Sequence, residues 1–128
     1  MNPVELKYNK EHEYARVEGN IVTFGITDHA QDSLGDVVFV ELPEEGVTVT
    51  AGKSYGTVES VKAVSDIYAS VSGKVVEVNT QVMDSPDLLN SDPYGEGWLV
   101  KVEVEDLSPL DNMMSAAEYE TYLAQEEH

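Results

Sequence analysis

The chain contains no cysteine. Disulfides, thiolate metal ligands and a cysteine nucleophile are thereby excluded, and any sulfur redox chemistry has to come from a group attached from outside. Positive charge is scarce as well. Seven Lys and Arg stand against 25 Asp and Glu, a formal net charge of -18, and a field of that sign repels phosphate backbones and anionic headgroups. Nucleic acid and membranes are not expected as partners, whereas Arg- and Lys-rich protein surfaces are. Apolar runs of membrane-spanning length are missing. The start, "MNPVELKYNKEHEY", has neither the apolar segment of a secretory signal nor the Arg-rich character of a transit peptide. A cytoplasmic location is the simple expectation, and a trimmed organellar protein would read the same way.

What is present argues for a folded unit. Hydrophobic residues make up 41% of the chain and fall in organised runs, unlike an acidic disordered tail. A length of 128 residues suits one domain. The expected division is a core over about 21–105 and a C-terminal helical segment over about 108–125. "VEGN" reads as the turn of a hairpin, with a first strand over about Glu13 to Val17 and a second in which Val22, Phe24 and Ile26 alternate with Ile21, Thr23 and Gly25. Thr27 as N-cap, Asp28 in the first turn, Ala30 and Leu34 on one face and Gly35 past the end describe a short helix.

From Gly35 onward the pattern is rich in short strands: "DVVFVEL", "VTV", one running towards Ser60, one from Ala63 to about Tyr68, and "KVVEV". Trp98, Val100, Val102 and Val104 then alternate with Leu99, Lys101, Glu103 and Glu105 as in a strand with one buried face. The segment "MDSPDLLNSDP" lacks the glycine and terminal glutamate of a calcium loop and reads as a surface loop. Ser108 before Pro109 reads as an N-cap and first helical residue, and Ser115 with Glu118 as a capping box; the last residues, "AQEEH", read as a frayed, solvated end. "GDVVFVEL" and "GKVVEVNT" repeat one another weakly, as two halves of a sandwich would. Many short strands with turn signals between them predict a mainly β sandwich or flattened barrel.

Lys62, in "ESVKAVSDIYASVSG", falls between two strands at a hairpin tip, where a side chain projects clear of the sheet. The three histidines, His12, His29 and His128, are scattered along the chain; no metal site is expected of them, and structural or solvated roles are assigned. Neither a nucleophile–base pair nor a phosphate-cradling glycine loop stands out, so an enzyme is the least expected reading.

That segment resembles the attachment region of lipoyl-bearing proteins, and within them the glycine cleavage system H-protein family. "HEY" at 12–14, "GITDHAQDSLGDVVFVELPE" at 25–44 and "NSDPYGEGWL" at 90–99 are similar to the same family. The resemblance implies a hammerhead-like β fold, the barrel-sandwich hybrid of lipoyl domains, with an N-terminal hairpin, a short connecting helix and C-terminal helices. It implies lipoic acid in amide linkage to Lys62. It also implies a shuttle role, carrying the aminomethyl group of glycine from the pyridoxal-phosphate-dependent glycine decarboxylase (P protein) to the tetrahydrofolate-dependent aminomethyltransferase (T protein). Dihydrolipoyl dehydrogenase (L protein) would reoxidise the arm, and a lipoate ligase or a lipoyl/octanoyl transferase would attach it. A monomer is expected.

A loaded arm carries a basic amine, and Glu13 and Asp66 are the candidate acids for holding it in a cleft; the family pattern places carboxylates at matching positions. Two departures from that pattern concern shape: Tyr14, where the family often has Trp, keeps an aromatic that can cover a cleft, and Ser70, where Pro is common, relaxes φ at one position. A biotinyl carrier shares the architecture, but that family usually flanks its lysine with Met, whereas Val61 and Ala63 stand here. A stand-alone lipoate donor would differ only in its partners.

Overall fold

A computed structural model describes residues 2–126. Strands β1 (Lys7–Tyr8), β2 (Glu13–Glu18) and β3 (Ile21–Ile26) form an antiparallel meander, and β2 turns into β3 through Gly19 at φ 65, the left-handed backbone that a two-residue hairpin turn asks of its first residue. Helix α1 (Asp28–Leu34) follows; as expected, Thr27 caps it by accepting the Ala30 N–H at 3.2 Å, and Gly35 ends it at φ 78.

The remaining strands are β4 (Val37–Glu41), β5 (Thr48–Val49), β6 (Ser54–Ser60), β7 (Val64–Tyr68), β8 (Gly73–Val78) and β9 (Val100–Glu103). They build two antiparallel sheets, one in the order β1-β2-β3-β9-β8-β5 and the other β4-β6-β7. Between them lie two apolar clusters. Val22, Phe24, Val75, Val100 and Val102 centre one; Val37, Val40, Val58, Ile67 and Leu99 centre the other. The repeated segments fall one in each sheet with matching burial. Val37 and Val75 are buried, and Val38 and Val76 are exposed.

Four local expectations are corrected. First, strand β3 is buried on both faces, Thr23 included, because Gly25 leaves room for the Tyr14 ring; a Cβ there would overlap it. Second, the alternation assigned to 98–105 holds only from Val100. Leu99 is fully buried and Trp98 half-buried, and the Asn79 side-chain amide donates to the carbonyls of Glu96 and Trp98, both at 2.7 Å, which ties the chain ahead of the strand to the end of β8. Third, the segment read as a surface loop is built from helices α2 (Thr80–Asp84) and α3 (Leu88–Ser91), with Leu89 and Pro93 inside. Its hydrophobic content is too short for a helical period to show.

Fourth, Ser108 does not cap: a 3-10 helix spans Ser108–Asn112 and begins after Leu107. The capping box is present. Ser115 Oγ accepts the Glu118 N–H at 3.2 Å and Glu118 Oε1 accepts the Ser115 N–H at 2.8 Å, and α4 (Ala116–Glu126) follows. Residues 124–126 therefore continue a helix rather than fraying, and Glu127 and His128 lie outside the described residues. Tyr8, Tyr14, Tyr119, Leu6 and Ala116 pack α4 onto the first hairpin, the rings of Tyr8 and Tyr119 stacked at 4.8 Å. No helix among the described residues is long and apolar enough to cross a membrane.

Candidate functional site

Strands β6 and β7 pair from Ser54↔Tyr68 to Glu59↔Val64, which leaves Val61, Lys62 and Ala63 as the tip. The tip is short and pinned. Ser60, itself buried, accepts the N–H groups of Lys62 (3.3 Å) and Ala63 (3.1 Å) on its hydroxyl, its own N–H donates to the Ala63 carbonyl at 2.7 Å, and Val61 N–H donates to the Asp36 carbonyl at 3.1 Å. Lys62 is exposed between Val61 and Val64, which are 71% and 66% exposed. Its Cε lies 3.6 Å from the point where a Cβ on Gly35 would stand, so its stem runs beside the end of α1.

The ground beneath the tip is held by Asn90 of α3. Its Oδ1 accepts the Val37 N–H at 2.9 Å and its amide donates to the Gly35 carbonyl at 2.8 Å. This is how the misread segment 83–93 serves the site. It braces the Gly35–Val37 stretch on which the lysine-bearing turn rests.

A cleft of about 190 Å³ opens between α1, the start of β2 and the β6–β7 hairpin. Ile26, Leu34, Val58 and Ile67 give it apolar walls, and Glu13 and Asp66 both line it. The two acids differ in kind. Asp66 is exposed, whereas Glu13 is 5% exposed and takes hydrogen bonds on both oxygens, from Asn9 Nδ2 and from the Tyr68 N–H, each at 2.9 Å. Burial nevertheless pushes the Glu13 carboxyl up to about 7, against the lowering effect of those two bonds.

Three site residues escaped sequence reasoning. Ser60 and Asn90 carry no local signal, because each acts on chain distant from itself or on a turn whose register was unknown. Asn9 did carry one: Asn followed by turn residues reads as an Asx turn, and its Oδ1 accepts the N–H groups of Glu11 (3.0 Å) and Glu13 (2.9 Å). Tyr14 is corrected. It is fully buried away from the cleft, its hydroxyl donating to the Pro93 carbonyl at 2.7 Å.

Two of the histidines scattered in sequence come together in the fold. The rings of His12 and His29 lie tilted against each other with centroids 4.4 Å apart and meet Glu126, although the sequence separates them widely. His12 sits at φ 64, a left-handed backbone at the β1–β2 turn that aims its ring at α4. His128 lies outside the described residues.

Residues 6–126 match the family model described as "Glycine cleavage H-protein". A curated glycine cleavage system H protein of Carboxydothermus hydrogenoformans is 57% identical over 97% of this chain and 95% of its own length. That of Symbiobacterium thermophilum is 58% identical over 94% of each. Among solved structures, a glycine cleavage system H protein from Mycobacterium marinum superposes with a TM-score of 0.86 at 42% identity, covering 96% of this chain and 99% of that one. With a pinned, exposed lysine beside an acid-lined cleft and matches over nearly its whole length, this chain belongs to the glycine cleavage H-protein family.

Proposed function

We propose that the protein is a lipoyl-lysine carrier of a glycine cleavage system, with lipoic acid joined by an amide to Lys62 Nζ. The observation that carries this is an exposed lysine on a hydrogen-bonded tip next to a cleft with apolar walls and acidic residues. Lipoate, when bound, supplies a strained disulfide that takes up an aminomethyl group from one enzyme and yields it to another. Everything else is work for this chain's residues. Ser60 holds the tip so that an attaching enzyme meets Lys62 in one orientation.

Acylation removes the ammonium charge, which lets the side chain lie against Ile26, Val58 and Ile67 without burying a cation. Glu13 and Asp66 receive a positively charged amine at the cleft, and an incoming cation favours the ionised form of Glu13. The exposed Val61, Val64, Val38 and Phe39 give partner enzymes an apolar footing around the lysine. The whole of 1–128 acts as one carrier domain, a substrate of its partners rather than a catalyst. Those partners are the decarboxylase, aminomethyltransferase and dihydrolipoyl dehydrogenase of the system, and a lipoate-attaching enzyme.

Intact mass after incubation with lipoate, ATP and lipoate ligase tests the attachment. Wild type should gain one lipoyl mass and Lys62→Arg none; a gain in Lys62→Arg, or none in wild type, overturns the assignment. Adding glycine decarboxylase and glycine to the lipoylated protein should then add the aminomethyl mass. A chain that is lipoylated but never loaded would instead be a lipoate donor. In the loaded protein, Glu13→Ala and Asp66→Ala should each hasten spontaneous loss of the one-carbon unit, and unchanged rates in both would remove these acids from the role.

A further inference from the structure

His12, His29 and Glu126 come from three elements: the β1–β2 turn, the first turn of α1 and the last turn of α4. One ligand-type atom from each lies within 4.8 Å of the other two. His12 Nε2 stands 3.0 Å from Glu126 Oε1. His29 Nδ1 is buried and has no hydrogen-bond partner among the described residues, an unusual state for a ring nitrogen, since buried polar atoms are nearly always satisfied.

The far side of His12 is already arranged as a ligating imidazole requires. Its Nδ1 lies 2.8 Å from Tyr119 Oη, and Tyr119 Oη lies 2.9 Å from Thr27 Oγ1. If Tyr119 donates to Thr27, its oxygen accepts Nδ1–H from His12, and Nε2 is left with a free lone pair on the side of Glu126. A ligating histidine commonly has its second nitrogen fixed in this way.

From this geometry we infer that His12, His29 and Glu126 form a binding site for one borderline divalent transition-metal ion of the zinc class. Two imidazoles and a carboxylate are the donor set such ions take, and three protein ligands leave a position for water. Tetrahedral bonds of roughly 2.0–2.2 Å hold ligand atoms about 3.3–3.6 Å apart; His12 Nε2 and Glu126 Oε1 stand slightly closer than that and all three atoms lie within 4.8 Å of one another, so small rotations of the side chains fit the site to the ion. Glu126, 38% exposed in the last turn of α4, is free to turn in this way. Mg²⁺ and Ca²⁺, which take oxygen ligands, are poor competitors despite the acidic surface. The bound ion clamps α4 to the first hairpin and to α1, and His12 also lines the cleft beside Glu13.

Calorimetric titration of the full chain with Zn²⁺, in buffer holding millimolar Mg²⁺ to occupy the surface carboxylates, tests the site. One equivalent should bind at micromolar concentration and raise the melting temperature. His29→Ala and Glu126→Gln should each weaken binding at least about tenfold, as loss of a supporting group alone does at metal sites, and should abolish the thermal gain. Melting curves without metal report whether the variants fold, and the exposed Glu126 keeps the test open if His29→Ala does not. Absence of uptake above the Mg²⁺ background, uptake unchanged in both variants, or uptake lost only in His128→Ala would each overturn the inference.

Discussion

Both oxygens of Glu13 are hydrogen-bonded, yet burial still lifts its carboxyl from 4.5 to about 7. A carboxyl whose folded value is raised binds more protons folded than unfolded, so it favours the fold below pH 4.5 and loses that contribution as pH climbs through about 7. The shift corresponds to about 3 kcal/mol. Urea titrations at a series of pH values, with EDTA present, should show wild-type stability falling across this window through Glu13, and Glu13→Gln should flatten the slope. An identical slope in the variant would mean that the group ionises freely in the folded protein. The position trades stability for an acid held inside a cleft, a trade seen where carboxylates serve ligands.

The β6–β7 hairpin depends on one hydroxyl. Ser60 Oγ satisfies two N–H groups of the tip from a buried position, so Ser60→Ala should cost about 1 kcal/mol and loosen the turn without moving either strand. Amide exchange read by NMR should quicken at Lys62 and Ala63 and stay unchanged in mid-strand at Val58 and Ile67. Equal exchange at the tip would show that the turn is held by strand pairing alone. The strands flanking this tip were legible in the sequence to within a residue, because β-rich runs and small turn residues state their own period. The brace from Asn90 was not, since it joins α3 to Gly35 and Val37 across a long stretch of chain.

Across the whole molecule the net charge of -18 works against compactness. Pairs that offset it are sparse among the described residues: Lys101 stands 3.9 Å from Glu77, while burial lowers the His12 pKa and so disfavours a charged pair with Glu126. Added salt screens like charges, the Debye length falling from about 30 Å at 0.01 M to about 3 Å at 1 M. The melting temperature, followed by circular dichroism, should therefore rise with NaCl over this range. A flat or falling curve would mean that the acids are already too dispersed to repel. The same field steers association with basic protein surfaces, and Lys62 loses its own positive charge once acylated.

From the amino-acid order alone came the mainly β architecture, the hairpin around "VEGN", α1 with its Thr27 and Gly35 ends, the capping box at Ser115, and an exposed lysine between two strands. Each of these rests on neighbours within a few residues, where propensity and turn chemistry act. Tertiary structure alone decided that Glu13 is a buried acid, that Tyr14 belongs to the core, and that His12, His29 and Glu126 meet. Burial and distant contact depend on how the sheets and α4 pack, and no local period in the sequence records that.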